Sequence, residues 1–144
     1  MLSNGKKMMI VAATFLVIMG TSMFGTTNTA GAAIISCSGN SRCVDISMKY
    51  GVAQYWSTPK IYFSKGEEFK YDFGTTNKSL FHVAFAVFRL SDGKQITPWS
   101  YAAGKGGIDY SYGDIPSTGY YYMMAACKGG DDTRCEGGGT LKKW

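Results

Sequence analysis

The chain is poor in residues that announce chemistry. It has one histidine, three prolines and four cysteines in 144 residues. A single imidazole leaves no multi-histidine metal centre. Any Ser-His-carboxylate machinery would rest on His82, with Ser79 or Ser91 as nucleophile and Asp72 as orienting carboxylate. No nucleophile-elbow sequence surrounds those serines, so His82 reads as a hydrogen-bonded strand residue. There is no C-x-x-C spacing to hold zinc. Glu67 and Glu68 are adjacent, point to opposite sides of a strand, and so do not make a glycosidase pair. No cofactor-binding signature occurs. The net charge is +5, but no basic run exceeds Lys142-Lys143 and no nucleic-acid motif appears. No apolar run reaches the ~20 residues of a membrane-spanning helix.

What is present begins with an export signal. Lys6 and Lys7 precede the apolar run Met8–Gly20, and a polar, threonine-rich stretch leads to Ala30-Gly31-Ala32, an A-x-A match. This pattern predicts a secretory signal peptide over residues 1–32 and one secreted domain over residues 33–144. Cleavage would remove Lys6 and Lys7, leaving 13 basic residues against 10 acidic ones. That excess suits ordinary solubility or attraction to anionic envelope polymers. A second route is a lipid anchor: "IISC" (Ile34–Cys37) loosely fits the pattern before a lipidated cysteine, at the cost of an odd number of thiols.

Cys37, Cys43, Cys127 and Cys135 all follow the signal. An even count in an exported chain predicts two disulfides, with three pairings formally open. Proximity favours Cys37–Cys43 with Cys127–Cys135, because short loops of Gly, Ser and Asn bring the thiols together cheaply.

The rest of the chain reads as strands. "VDISMKY" alternates through Val44, Ile46, Met48 and Tyr50, "FKYDF" through Phe69, Tyr71 and Phe73, and "IDYSY" through Ile108, Tyr110 and Tyr112. Period-two alternation is the mark of a half-buried strand. Leu80–Leu90 is almost continuously apolar and predicts a strand buried on both faces. Asp92-Gly93 predicts a tight hairpin with a returning strand over Gln95–Tyr101, broken or ended by Pro98. Lys60–Phe63 and Glu67–Phe73 add two strands, and Tyr120–Cys127 the last long one, with Tyr120, Tyr122 and Met124 on one side and Tyr121 and Met123 on the other. These elements predict an all-β fold: a single antiparallel β-sandwich, jelly-roll or Ig-like, of about seven to nine short strands.

Within Lys65–Phe73, Val83–Lys94 and Ile115–Ala126, the order of elements resembles small extracellular bacterial β-sandwiches of the jelly-roll or pre-peptidase type. In those, a strand follows a P-x-x-G-x-Y corner. Pro116, Gly119 and Tyr120–Tyr122 supply the matching letters. The resemblance covers about half the chain and implies a fold, not a function.

Aromatics are the compositional excess. Tyr55, Trp56, Trp99, Tyr101, Tyr110 and Tyr112 fall in or beside turns and strand ends, where exposed rings beside Lys and Asp stack on sugars or form a protein interface; the alternative is that they fill the core. Asp131, Asp132 and Glu136 put carboxylates on a glycine-rich loop and form the candidate calcium site. The bland reading of that loop is a strand end stapled by Cys127–Cys135. The sequence thus predicts a non-enzymatic secreted protein binding an extracellular polymer or a protein through aromatic turns. The alternative is a bacteriocin-like or toxin-like antimicrobial protein acting on cell envelopes, motivated by the basic-aromatic "LKKW" (Leu141–Trp144).

Overall fold

The computed structural model describes residue 37 and residues 39–144. The expected signal peptide, its cleavage site and most of the lipid-anchor motif lie outside the described residues. Nine strands follow: β1 (Cys43–Met48), β2 (Gln54–Trp56), β3 (Ile61–Phe63), β4 (Glu68–Thr75), β5 (Val83–Arg89), β6 (Ser100–Ala102), β7 (Ile108–Asp114), β8 (Gly119–Cys127) and β9 (Gly137–Lys143). Among the described residues there is no α-helix, only a 3₁₀ turn at Lys128–Gly130.

The strands form two antiparallel sheets. Sheet A has the order β1-β9-β4-β7; sheet B has β2-β8-β5-β6, with β3 also pairing β8. First and last strands are neighbours, and successive strands largely cross between sheets. That is the jelly-roll order, so of the two expected sandwich types the jelly roll is the one formed.

The alternating patterns explain the core. Val44, Ile46 and Met48 from β1, Phe69, Tyr71 and Phe73 from β4, and Phe85, Tyr121 and Met123 from β5 and β8 are all buried. Ring contacts cross from sheet to sheet: Phe63 lies 5.9 Å from Phe69, Tyr71 5.6 Å from Phe85, and Phe73 5.9 Å from Phe85. Each such side chain contributes roughly 2–3 kcal/mol by leaving water. In the Pro116–Tyr121 corner the Tyr121 hydroxyl donates back to the Ser117 carbonyl, pinning the entry into β8.

The last long strand is β9, not β8. Its sequence, GGGTLKK, opens on three glycines, which carry no alternation and little β-propensity. The glycines are required by close approach: a Cβ on Gly139 would lie 2.0 Å from the Asp72 carbonyl oxygen, and one on Gly137 2.2 Å from that of Gly74. β4 and β9 therefore pair over seven residues with the Phe73 side chain packed beside Gly137. This placement also corrects the "LKKW" reading. Leu141 is core, and Lys143 is ion-paired to Glu67 at 3.1 Å. The segment is sheet, not a free membrane-seeking tail.

Three smaller corrections follow. β7 turns its apolar residues outward, so that Asp109, Ser111 and Gly113 face inward; there is no room beside Phe69, whose ring would be 2.7 Å from a Cβ on Gly113. The apolar run from Leu80 yields a strand only from Val83, with Leu80 and Leu90 exposed. The β5–β6 turn is wider than a two-residue hairpin: Arg89 N–H bonds to the Lys94 carbonyl, Gly93 alone takes positive φ, and after Pro98 only Ser100–Ala102 pairs with β5 beyond a bridge at Gln95.

Both disulfides have the expected local pairing, Cys37–Cys43 and Cys127–Cys135. The first engages the Cys37 sulfur that a lipid anchor would need. The second closes the loop after β8. There Lys128 and Arg134 each sit 5.0 Å from the Phe81 ring, clamping the strand end from two directions.

Candidate functional site

Cross-strand partners share a face, so the register assigns each strand's surface rings to one side of the sandwich. On the outside of sheet A, one row holds Trp144, Glu68 and Asp114, the next Lys142, Lys70 and Tyr112, and the third Thr140, Asp72 and Tyr110. Trp144 extends β9 by donating its amide to the Glu68 carbonyl at 3.0 Å. Its ring meets Tyr112 edge to face at 5.0 Å, and Tyr110 continues the cluster 5.9 Å from Tyr112.

A lysine sits among these rings. Lys70 Nζ lies 4.8 Å from the Tyr110 ring centre, 5.7 Å from Trp144 and 5.9 Å from Tyr112. Three cation–π contacts to one ammonium fix the rings' orientation without burying them. Beneath, Asp72 is buried, lies 4.0 Å from Lys70 Nζ, and accepts the amide and hydroxyl of Thr140 at 2.9 and 2.8 Å.

Beside this cluster opens a cleft of about 490 Å³, lined by Glu68, Tyr112, Gly113, Asp114 and Trp144. Glu68 and Asp114 stand directly opposite one another. Like charges so placed repel, and among the described residues neither carboxylate has an ion-pair partner. The neighbouring Glu67 behaves differently: the Ser64 amide, then Lys143, hold its carboxyl below the usual range. Two carboxylates and two ring surfaces thus converge on solvent with their hydrogen-bonding capacity unspent.

On the outside of sheet B the rings engage each other. Phe88 stacks on Tyr122 at 5.6 Å and 18° and touches Trp99 at 5.9 Å; Tyr62 meets Tyr120 at 5.2 Å; Tyr101 meets His82 at 5.7 Å. Trp56 shares this face through its register with Met124. Lys60 caps Tyr122 at 4.6 Å and bonds the Ser57 carbonyl at 2.7 Å, and burial lowers its pKa.

The six expected binding aromatics therefore do not form one site. Trp56, Trp99 and Tyr101 belong to sheet B, Tyr110 and Tyr112 to sheet A. Tyr55 registers with Ala125 on the inward side of β2 and lies at the sandwich edge. Sequence reasoning passed over Asp114 and did not bring it together with Glu68, weighed only as half of a glycosidase pair, or with Trp144, weighed only in a membrane-seeking tail. The alternation Thr140, Lys142, Trp144 was the only signal of that row, and it continued a strand hidden by glycines.

Other expected constellations come apart. Asp72 lies on the outside of sheet A and His82 on that of sheet B, while the Ser79 hydroxyl is buried and donates to the Phe81 carbonyl at 3.1 Å. Of the three expected calcium ligands, Asp131 is exposed on the loop and the other two are spent separately. Asp132 is bound by the Arg134 guanidinium at 2.8 and 3.0 Å, which holds its carboxyl far below the usual range, and Glu136 accepts from Thr76 at 3.0 Å. No cluster of three His, Cys, Asp or Glu side chains suited to a metal occurs among the described residues, and no helix among them is long and apolar enough to cross a membrane.

No family model matches the chain, and no curated protein does. Solved structures similar to it include the pre-peptidase C-terminal domain of collagenase from Bacillus anthracis, 11% identical, with 69% of this chain and 85% of that one covered at a TM-score of 0.44. Another holds the M60 catalytic domain with the CBM51-1 and CBM51-2 domains of ZmpB from Clostridium perfringens. It is 14% identical, with 65% of this chain and 10% of that one covered at a TM-score of 0.43.

Proposed function

We propose that the protein is an exported, non-enzymatic binding module that takes a glycan in the sheet A cleft. The observation that carries this reading is the cleft itself, where Trp144 and Tyr112 present rings 5.0 Å apart beside the carboxylates of Glu68 and Asp114, unpaired among the described residues. A sugar offers both partners at once: its C–H face packs on an aromatic ring, and its hydroxyls donate to carboxylate oxygens. The volume is that of a small-ligand pocket. Export is supported by two disulfides, which persist in oxidising compartments, and by the leader pattern of residues 1–32.

Isothermal titration of protein collected from culture medium against a panel of cell-wall and matrix polysaccharides tests the reading. Binding by the wild type and its loss in Trp144→Ala and Tyr112→Ala are expected. Absence of binding across the panel, or binding that both variants retain, removes the proposal. Turnover of a bound glycan that Glu68→Gln abolishes would convert the module into an enzyme.

A further inference from the structure

We infer that β7 is a docking edge for the β7 of a second copy of this chain. The other sheet edges are blunted. β2, β3 and β6 are three residues each, with Pro59 between the first two and Pro98 just before the third. β1 is closed at its start, where the Cys37–Cys43 loop folds back and Asn40 accepts the Cys43 amide at 3.2 Å. β7 is seven residues long and carries no proline and no lysine. Such an edge is a ready template for another strand.

The backbone groups that have no partner among the described residues can be placed. Bonds from Thr75 N–H to the Gly107 carbonyl and from Ile115 N–H to the Glu67 carbonyl fix the β4–β7 ladder phase. Antiparallel alternation then directs Asp109, Ser111 and Gly113 toward β4 and leaves Ile108, Tyr110, Tyr112 and Asp114 with amides and carbonyls pointing outward. Their side chains are also exposed; for Ile108 the figure is 58% and for Tyr110 57%.

The strand is complementary to itself. An antiparallel pair centred on Ser111 sets Tyr110 against Tyr112 of the second copy and Ile108 against its Asp114, so no two carboxylates face each other. All four outward residues fall at hydrogen-bonding positions, and the overlap spans the whole strand. The two-fold axis stands normal to the sheet, so both outer faces point the same way. Four tyrosines line the junction, and the two clefts flank it. The pairing and glycan binding are separable: either can fail without the other.

Sedimentation over a wide concentration range, on protein collected from the medium of cells expressing the full chain, tests it. The wild type is expected to dimerise reversibly and Tyr110→Pro, which removes an outward amide together with a ring at the junction but no amide that bonds β4, to stay monomeric. Two exposed substitutions report on register without threatening the fold. Ile108→Asp faces Asp114 of the second copy and is expected to weaken the dimer about two- to thirtyfold over its two symmetric pairs, whereas Ile108→Lys strengthens it by a similar factor. A wild type monomeric throughout overturns the inference. So does a dimer indifferent to both Ile108 variants, or one lost instead in Trp56→Ala.

Discussion

On the outside of sheet B, the rings of Phe88, Tyr122 and Trp99 lie against one another, and Ala84, Ala86 and Ala126 on the same face are at most 3% exposed with no second layer of secondary structure above them among the described residues. On the outside of sheet A, the rings of Tyr110, Tyr112 and Trp144 stand round Lys70 above a floor of Asp72, Thr140 and Gly74. The first arrangement is a roof. Its aromatic area covers small apolar residues and contributes to folding in proportion to what it dries. The second covers charge and hydroxyl that need no drying, so its rings remain available to a ligand. A surface aromatic is informative only together with what lies under it.

The largest expected effect separates roof from platform. Phe88→Ala should cost about 2–3 kcal/mol, somewhat below a fully buried phenylalanine because Phe88 is half-exposed. Urea unfolding measures it. Glycan affinity in the folded variant should stay at the wild-type value. An unchanged unfolding midpoint would mean that the alanines are sheltered by something other than the rings.

Trp144→Ala is the complementary experiment. The residue is 61% exposed, and its ring touches Tyr112 and Lys70. Stability should move by less than ~1 kcal/mol, whereas affinity should fall roughly ten- to hundredfold, the usual effect of truncating an aromatic anchor. A variant that loses stability and keeps affinity would reverse the assignment of the two faces.

The floor of the platform comes next. Removing the Asp72 carboxylate leaves the Thr140 amide and hydroxyl without their acceptor and Lys70 without its counter-charge. Asp72→Ala should therefore cost about 1–2 kcal/mol. By freeing Lys70 it should also weaken glycan binding through the rings that Lys70 orients. Stability loss with intact affinity would show that the rings hold their positions unaided.

The sequence disclosed the roof more readily than the platform. In β4 the alternation of Phe69, Tyr71 and Phe73 with Lys70 and Asp72 marks the buried face, in β8 the sequence divides the rings between two sides, and the local disulfides followed from loop length. β9 was hidden because the constraint there is close backbone approach at Gly137 and Gly139, which selects for no side chain and leaves no periodicity. Losing β9 also lost Trp144 and the row it completes with Glu68 and Asp114. In β7 the pattern was legible and its direction was not. Alternation says which residues share a face, but only the packing of Phe69 against Gly113 says which face is inside.

The smallest effect concerns acid. At the β5–β6 turn, the Arg89 guanidinium and then the Lys94 amide hold the Asp92 carboxyl down to about 2. A carboxyl lowered in the folded state favours folding fully above its unfolded value of about 4 and loses that contribution as pH falls from there through about 2. The group is exposed, so the gain is screened and small. The wild-type unfolding midpoint should fall slightly more between pH 5 and pH 2.5 than that of Asp92→Asn, with the two curves meeting at the acid end. The turn belongs to the sheet B end of the molecule, where Arg89 also donates to the Ser117 hydroxyl at 2.8 Å beside Tyr121. The substitution should accordingly leave glycan affinity at neutral pH untouched. A loss of affinity in Asp92→Asn would tie the two faces together and defeat the division between them.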